Sequence, residues 1–215
     1  MSRSTDDLIS ALSTDLKPSG RLAPPMLRAA VWLGVLLALI AATALLFARF
    51  TGLVAKMDQP RFALEVFATL ATGVTGVIAA FHLSLPDRSR RWALLPVPAL
   101  LLWLATSGCG CWWSWVSLGP RGLGLGETGQ CFLFMVGASV PIGGLLLLAL
   151  SRARPLQPAG TAAVGGLGAA GLCAFALEFI HSAQTTVIDM AWHLAAVAVV
   201  VAAASATGRA AMARA

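Results

Sequence analysis

The sequence predicts an all-α, polytopic membrane protein with six transmembrane helices and a short cytoplasmic amphipathic helix at its N-terminus. Three observations carry this reading. The 215 residues are 58% hydrophobic and only 11% charged, against roughly 25% charged in a soluble domain. The apolar residues fall into six runs of spanning length, about 20 residues each, and helices satisfy the backbone in hydrocarbon without outside partners. The basic residues sit between those runs, as membrane topology requires. That placement also excludes the nucleic-acid reading that a net charge of +6 would invite. The first apolar run is too long for a cleavable signal.

The N-terminal helix opens at Ser4-Thr5-Asp6-Asp7, a hydroxyl cap followed by carboxylates in the first turn. Leu8, Ile9, Leu12 and Leu16 recur at helical spacing, with Asp6, Asp7, Ser13 and Asp15 on the other sides. Lys17-Pro18-Ser19-Gly20 ends the pattern, and Arg21 to Pro25 reads as a tether. Surface-lying helices usually carry Lys and Arg on the polar face. This one carries acids, which anionic lipid repels, so its apolar stripe suits a protein groove better than a membrane surface.

Span one is expected from Met26 to Phe50, span two from Phe62 to Leu85, and span three from Trp92 to Ser107. Spans four to six are expected at Cys131 to Leu150, Gly160 to Ile180 and Met190 to Thr207. Pro96, Pro98 and Pro141 are candidate bends in spans three and four. Span five carries a small-residue surface of Gly165, Gly166, Gly168, Ala169, Ala170 and Gly171, and span two another of Thr69, Gly73, Gly76 and Ala80. Small residues let helix backbones approach where lipid removes the hydrophobic drive. No internal repeat points to an inverted-repeat transporter.

Six spans put both termini on one side. That side holds Arg3, Lys17, Arg21, Arg28, Arg88, Arg90, Arg91, Arg152, Arg154, Arg209 and Arg214, eleven in all. The other holds Arg49, Lys56, Arg61 and Arg121, which is four. The imbalance places both termini in the cytoplasm of a bacterial cell, with the chain in the inner membrane. Trp32 and Trp92 then fall near inner span ends and Trp112, Trp113, Trp115 and Trp192 near outer ends, where such rings favour the headgroup layer.

The polar groups with chemical potential lie mostly toward the outside. Glu65 and Glu178 are intramembrane carboxylates, costly there, and either pair structurally with groups such as Arg61 or His181 or serve a sensing or relay role. Asp189 and His193 are spaced for an i, i+4 pair on span six. Cys109, Cys111 and Cys131 face an oxidising compartment, in an outer loop expected from Gly108 to Gln130. A structural disulfide with one thiol left over, or a redox- or soft-metal-sensitive site that His181 joins, both fit. Cys173 is read as a packing residue. No hydrolytic triad, phosphate loop or dinucleotide fingerprint is placed correctly, so neither an enzyme nor a cofactor is expected.

The chain also resembles the NrsF-type membrane anti-sigma factors, a family named for negative regulation of sigma factor F. The resemblance runs through Thr5-Asp6-Asp7-Leu8-Ile9 with Leu12 and Leu16, then Arg21-Leu22-Ala23-Pro24-Pro25, Phe62 to Glu65, and Ala80-Phe81-His82-Leu83-Ser84-Leu85-Pro86. Cys131, His181, Trp192 and His193 complete it. It implies that residues 1–25 form a sigma-binding segment and tether, with Asp6, Asp7, Leu8, Ile9, Leu12 and Leu16 on an extracytoplasmic-function sigma factor. Residues 26–215 would form a six-helix sensor domain responding to redox or metal stress outside. The family pattern has a second cysteine after the histidine of the last outer loop, where this chain has Ser182. Replacement by Cys109 and Cys111, a different mode of sensing and an engineered serine are the alternatives there. A membrane thiol oxidoreductase or small transporter using the outer cysteines, or a structural subunit of a larger complex, are the competing functions.

Overall fold

A computed structural model describes residues 4–14, 21–47, 57–119, 128–179 and 187–212. The N-terminal helix α1 spans Thr5–Thr14. Six further helices follow: α2 (Pro25–Phe47), α3 (Pro60–Leu83), α4 (Val97–Leu118), α5 (Thr128–Ser151), α6 (Pro158–Glu178) and α7 (Val187–Met212). Each carries a segment long and apolar enough to cross a membrane, and no strand occurs among the described residues. The chain is an all-α, multi-pass membrane protein. Below, the terminal end of the bundle is the one where α2 begins, and the far end is where α2 finishes.

The starts of these helices follow local chemistry. The Ser4 hydroxyl accepts from the Asp6 backbone N–H at 3.3 Å, capping α1 as its sequence predicts. Proline occupies the first turn of α3, α4 and α6, where its missing N–H costs nothing. Pro96 and Pro98 therefore start α4 and do not bend it. Pro141 lies inside α5, which continues through it.

Span three differs most from its expected extent. The chain after α3 makes a short 3-10 helix, Arg90–Leu94, and then α4 runs on to Leu118. Cys109, Cys111, Trp112, Trp113 and Trp115 thus lie on a helix and not in the outer loop expected from Gly108. Nothing in that stretch stops a helix: Gly108 and Gly110 weaken it slightly, and the chain turns only at Gly119, with φ +55°.

α3 and α6 form the axis of the bundle. Their spanning segments are 61% and 72% buried, against 17–28% for the other four. Glycine makes this possible. A methyl group at Gly76 would come within 2.7 Å of the Gly168 Cα, and one at Gly171 within 2.7 Å of the Gly73 backbone nitrogen. The two small-residue surfaces read from the sequence face one another. α7 joins α6 the same way: Gly166 meets Ala204, and Gly208 meets Ala162. Around this axis Leu33, Leu36 and Ile40 of α2 and Leu146 and Leu150 of α5 pack with Val77, Phe81 and Leu172 in one apolar core.

Gly168→Val should force α3 and α6 apart and cost roughly 1–3 kcal/mol. Gly143 has nothing within 4 Å of an added methyl, so Gly143→Ala should stay within about 0.5 kcal/mol of wild type. Thermal unfolding in detergent, followed by circular dichroism, separates the two; equal midpoints would contradict the close approach.

Candidate functional site

The far end of the bundle gathers polar groups from three helices. Glu65 stands in the second turn of α3 and is 7% exposed. The Ser107 hydroxyl of α4 donates to its Oε1 at 2.5 Å. A buried carboxylate needs such a donor, because burial without one is expensive. Ser107 and Cys111 are four residues apart and share a face of α4. Cys111 is buried, and its thiol lies 3.6 Å from the Met190 Sδ of α7, donating toward it. Arg61 lies across the same surface: a methyl group at Gly110 would come within 2.9 Å of its guanidinium. Gly110 is therefore the place where α4 admits the arginine.

Asp189 is buried in the first turn of α7. The expected i, i+4 pair with His193 takes a different form. The His193 Nδ1–H donates to the Asp189 backbone carbonyl at 2.7 Å. That carbonyl belongs to the first turn of the helix and lies within reach of a ring four residues on. The bond fixes Nδ1 as the protonated nitrogen of the neutral ring, leaving Nε2 as its acceptor.

Of the expected site residues, Glu65, Cys111 and Asp189 therefore come together, with Arg61, Ser107 and Met190. Cys109 is exposed nearby on α4. Cys131 lies in the first turn of α5, in a separate apolar cluster with Met135, Ala174, Leu177 and Ala196. Phe132 beside it meets the Trp192 ring edge-on, with centroids 5.2 Å apart. Glu178 ends α6, half-buried. His181 and Ser182 lie outside the described residues. None of the four cysteines is joined in a disulfide. Cys173 accepts from the Ser139 hydroxyl at 3.3 Å inside the bundle, consistent with packing. Among the described residues no three His, Cys, Asp or Glu side chains group closely enough to hold a metal ion. Ser107 and Met190 were not singled out from the sequence. A helix carried through Cys111 would have placed Ser107 on the thiol's face.

The terminal end holds a second group. Arg28, near the start of α2, donates to the Ala149 carbonyl of α5 at 2.6 Å and lies 5.0 Å over the Phe81 ring of α3. His82 is buried and stacks on Trp92 with ring centroids 3.7 Å apart. These contacts tie the start of α2 to the ends of α3 and α5. α1, by contrast, buries none of its residues. Leu8, Ile9 and Leu12 are 49%, 58% and 61% exposed on one stripe, with Asp6 and Asp7 in the first turn. Leu16 lies outside the described residues.

Residues 12–213 match the sequence model of a family described as NrsF, negative regulator of sigma F. No curated protein and no solved structure matches the chain.

Ser107→Ala should leave the Glu65 carboxylate short of its donor and cost about 1–3 kcal/mol of stability. Glu65→Gln combined with it should restore part of that loss, because a neutral amide is cheaper to bury than a carboxylate. Thermal unfolding of the three proteins decides; an unchanged midpoint for Ser107→Ala would show that the bond contributes nothing. In folded protein a maleimide should modify Cys109 well before the three buried thiols, read by mass spectrometry after timed quenching.

Proposed function

The chain belongs to the family of negative regulators of sigma F, and on that premise we propose that it holds an extracytoplasmic-function sigma factor at the membrane through α1. The regulatory role and a sigma-factor partner follow from the family. The observation that supports α1 as the binding element is its exposed stripe of Leu8, Ile9 and Leu12, flanked by Asp6 and Asp7, on a helix that buries nothing of its own. A capped helix with exposed apolar anchors at i, i+1 and i+4 suits a groove on a protein partner. Residues 1–25 then act as binding segment and tether, with Leu16 a further candidate contact from the sequence, and residues 26–215 as the sensor domain.

The excess of Lys and Arg at the terminal end, eleven against four, supports cytoplasmic termini and a bacterial inner-membrane location. On that orientation the far-end cluster faces the periplasm. Cys109 is exposed there, and Cys111 lies against a thioether, one turn from the serine that holds Glu65. We read this as the receiving end for a redox or soft-metal signal, since thiols and thioethers are the groups that oxidants and soft cations reach first. Cys131 and His181 are the other candidates for that end. Sensing then requires two states of the bundle that differ in their affinity for sigma.

Deleting residues 1–20 should release the sigma factor from membranes. Leu8→Ala with Leu12→Ala should weaken retention by at least about tenfold, as loss of two buried anchors does. Co-sedimentation of the sigma factor with membrane vesicles measures both. Undiminished retention by the deletion would sink the assignment.

A further inference from the structure

A cavity of about 370 Å3 opens at the terminal end, between the last turn of α3, the 3-10 helix and the first turns of α6. Leu83, Leu85, Leu156 and Val164 give it an apolar wall, and Arg88 and Arg90 line it as cations, Arg88 with Asp87 at 3.7 Å on its exposed side. Both arginines are solvent-exposed. Arg90 lies against Gln157, whose side-chain oxygen accepts from its Nε at 3.0 Å once the amide is turned to face the guanidinium. The N-terminal end of α6 adds the positive pole of a 21-residue helix to the same mouth. The cavity is thus basic at its rim and apolar within.

We propose that α1 docks into this cavity, so that the bundle and the sigma factor compete for the same helix. The chemistry is complementary on both counts. α1 offers an exposed stripe of Leu8, Ile9 and Leu12 to an apolar wall, and Asp6 and Asp7 to a rim of two guanidiniums. The reach suffices as well. Arg28 of α2 lies 5.0 Å over Phe81, two residues before the cavity-lining Leu83. The tether therefore leaves the bundle at the end where the cavity opens. Residues 15–24 are ten in number and extend up to about 36 Å, while α1 itself is about 15 Å long. In the docked state the apolar stripe is covered, which is the second state that release of a partner requires. Docking itself needs no sigma factor. Only its regulatory consequence rests on the reading of α1 as the sigma-binding helix.

The test places a photo-crosslinking amino acid at Leu12 of the full-length protein in vesicles of mixed zwitterionic and anionic lipid, without sigma factor. Crosslinked peptides are then mapped by mass spectrometry. Docking predicts crosslinks to residues 83–93 or 156–164. The double substitution Asp6→Lys with Asp7→Lys lies outside the bundle and leaves its fold intact. It should lower the crosslink yield by about fivefold, from the loss of two exposed charge pairs. Arg88→Gln with Arg90→Gln should lower it similarly. Crosslinks found only on lipid, or on other parts of the chain, overturn the proposal. So does a yield that the aspartate substitutions leave unchanged. Retention of sigma by the Δ1–20 protein bears on the preceding reading and is scored apart from these yields.

Discussion

The fold depends on the backbone contact between α3 and α6. Lipid offers apolar helices no hydrophobic reason to associate, so packing must come from close approach. Gly73 and Gly76 on one helix and Gly168 and Gly171 on the other leave no room for a methyl group between them. This pair is the most buried part of the protein. α7 reaches the axis through Gly166 and Gly208, again by removing side chains. α2 and α5 pack against the axis through larger residues such as Leu36, Leu146 and Leu150. The axis is thus closely packed, with less buried helices around it.

Polar groups are concentrated at the two ends of that axis. At the far end, Glu65 of α3 is bound by Ser107 of α4, and Cys111 of α4 touches Met190 of α7. A change at the thiol therefore bears on contacts among three helices. At the terminal end, Arg28 joins the first turns of α2 to α5 and lies over α3. α3 carries both Glu65 and Phe81 and so belongs to both groups. The helix that carries the buried carboxylate is also the helix over which the base of the tether lies.

Much of this was legible in the sequence, and the residues show why the rest was not. Long apolar runs announce membrane helices, and each of the six expected spans overlaps a helix, span three with shifted bounds. The Ser4 cap and the glycine faces of spans two and five were readable because local chemistry alone determines them. The end of α4 was not. Its last three turns hold Cys109, Cys111, three tryptophans and two glycines, a composition that reads as a loop when hydropathy is the guide. The Ser107–Glu65 bond was hidden because it joins residues far apart in the chain, and no local pattern encodes it. The Asp189–His193 spacing was right, but spacing does not tell a carboxylate from a backbone carbonyl. The cavity beside Arg88 and Arg90 needed three segments to be placed before it existed at all.

On the proposed function, the far-end polar cluster and α1 are energetically coupled through one bundle. The most direct measurement is the affinity of the full-length protein, in lipid nanodiscs, for its sigma factor before and after mild thiol oxidation. The account predicts a loss of about five- to 150-fold, the range typical of coupled sites. It also predicts no loss when Cys109, Cys111 and Cys131 are all serine. An affinity unchanged by oxidation and by soft-metal ions alike would contradict it.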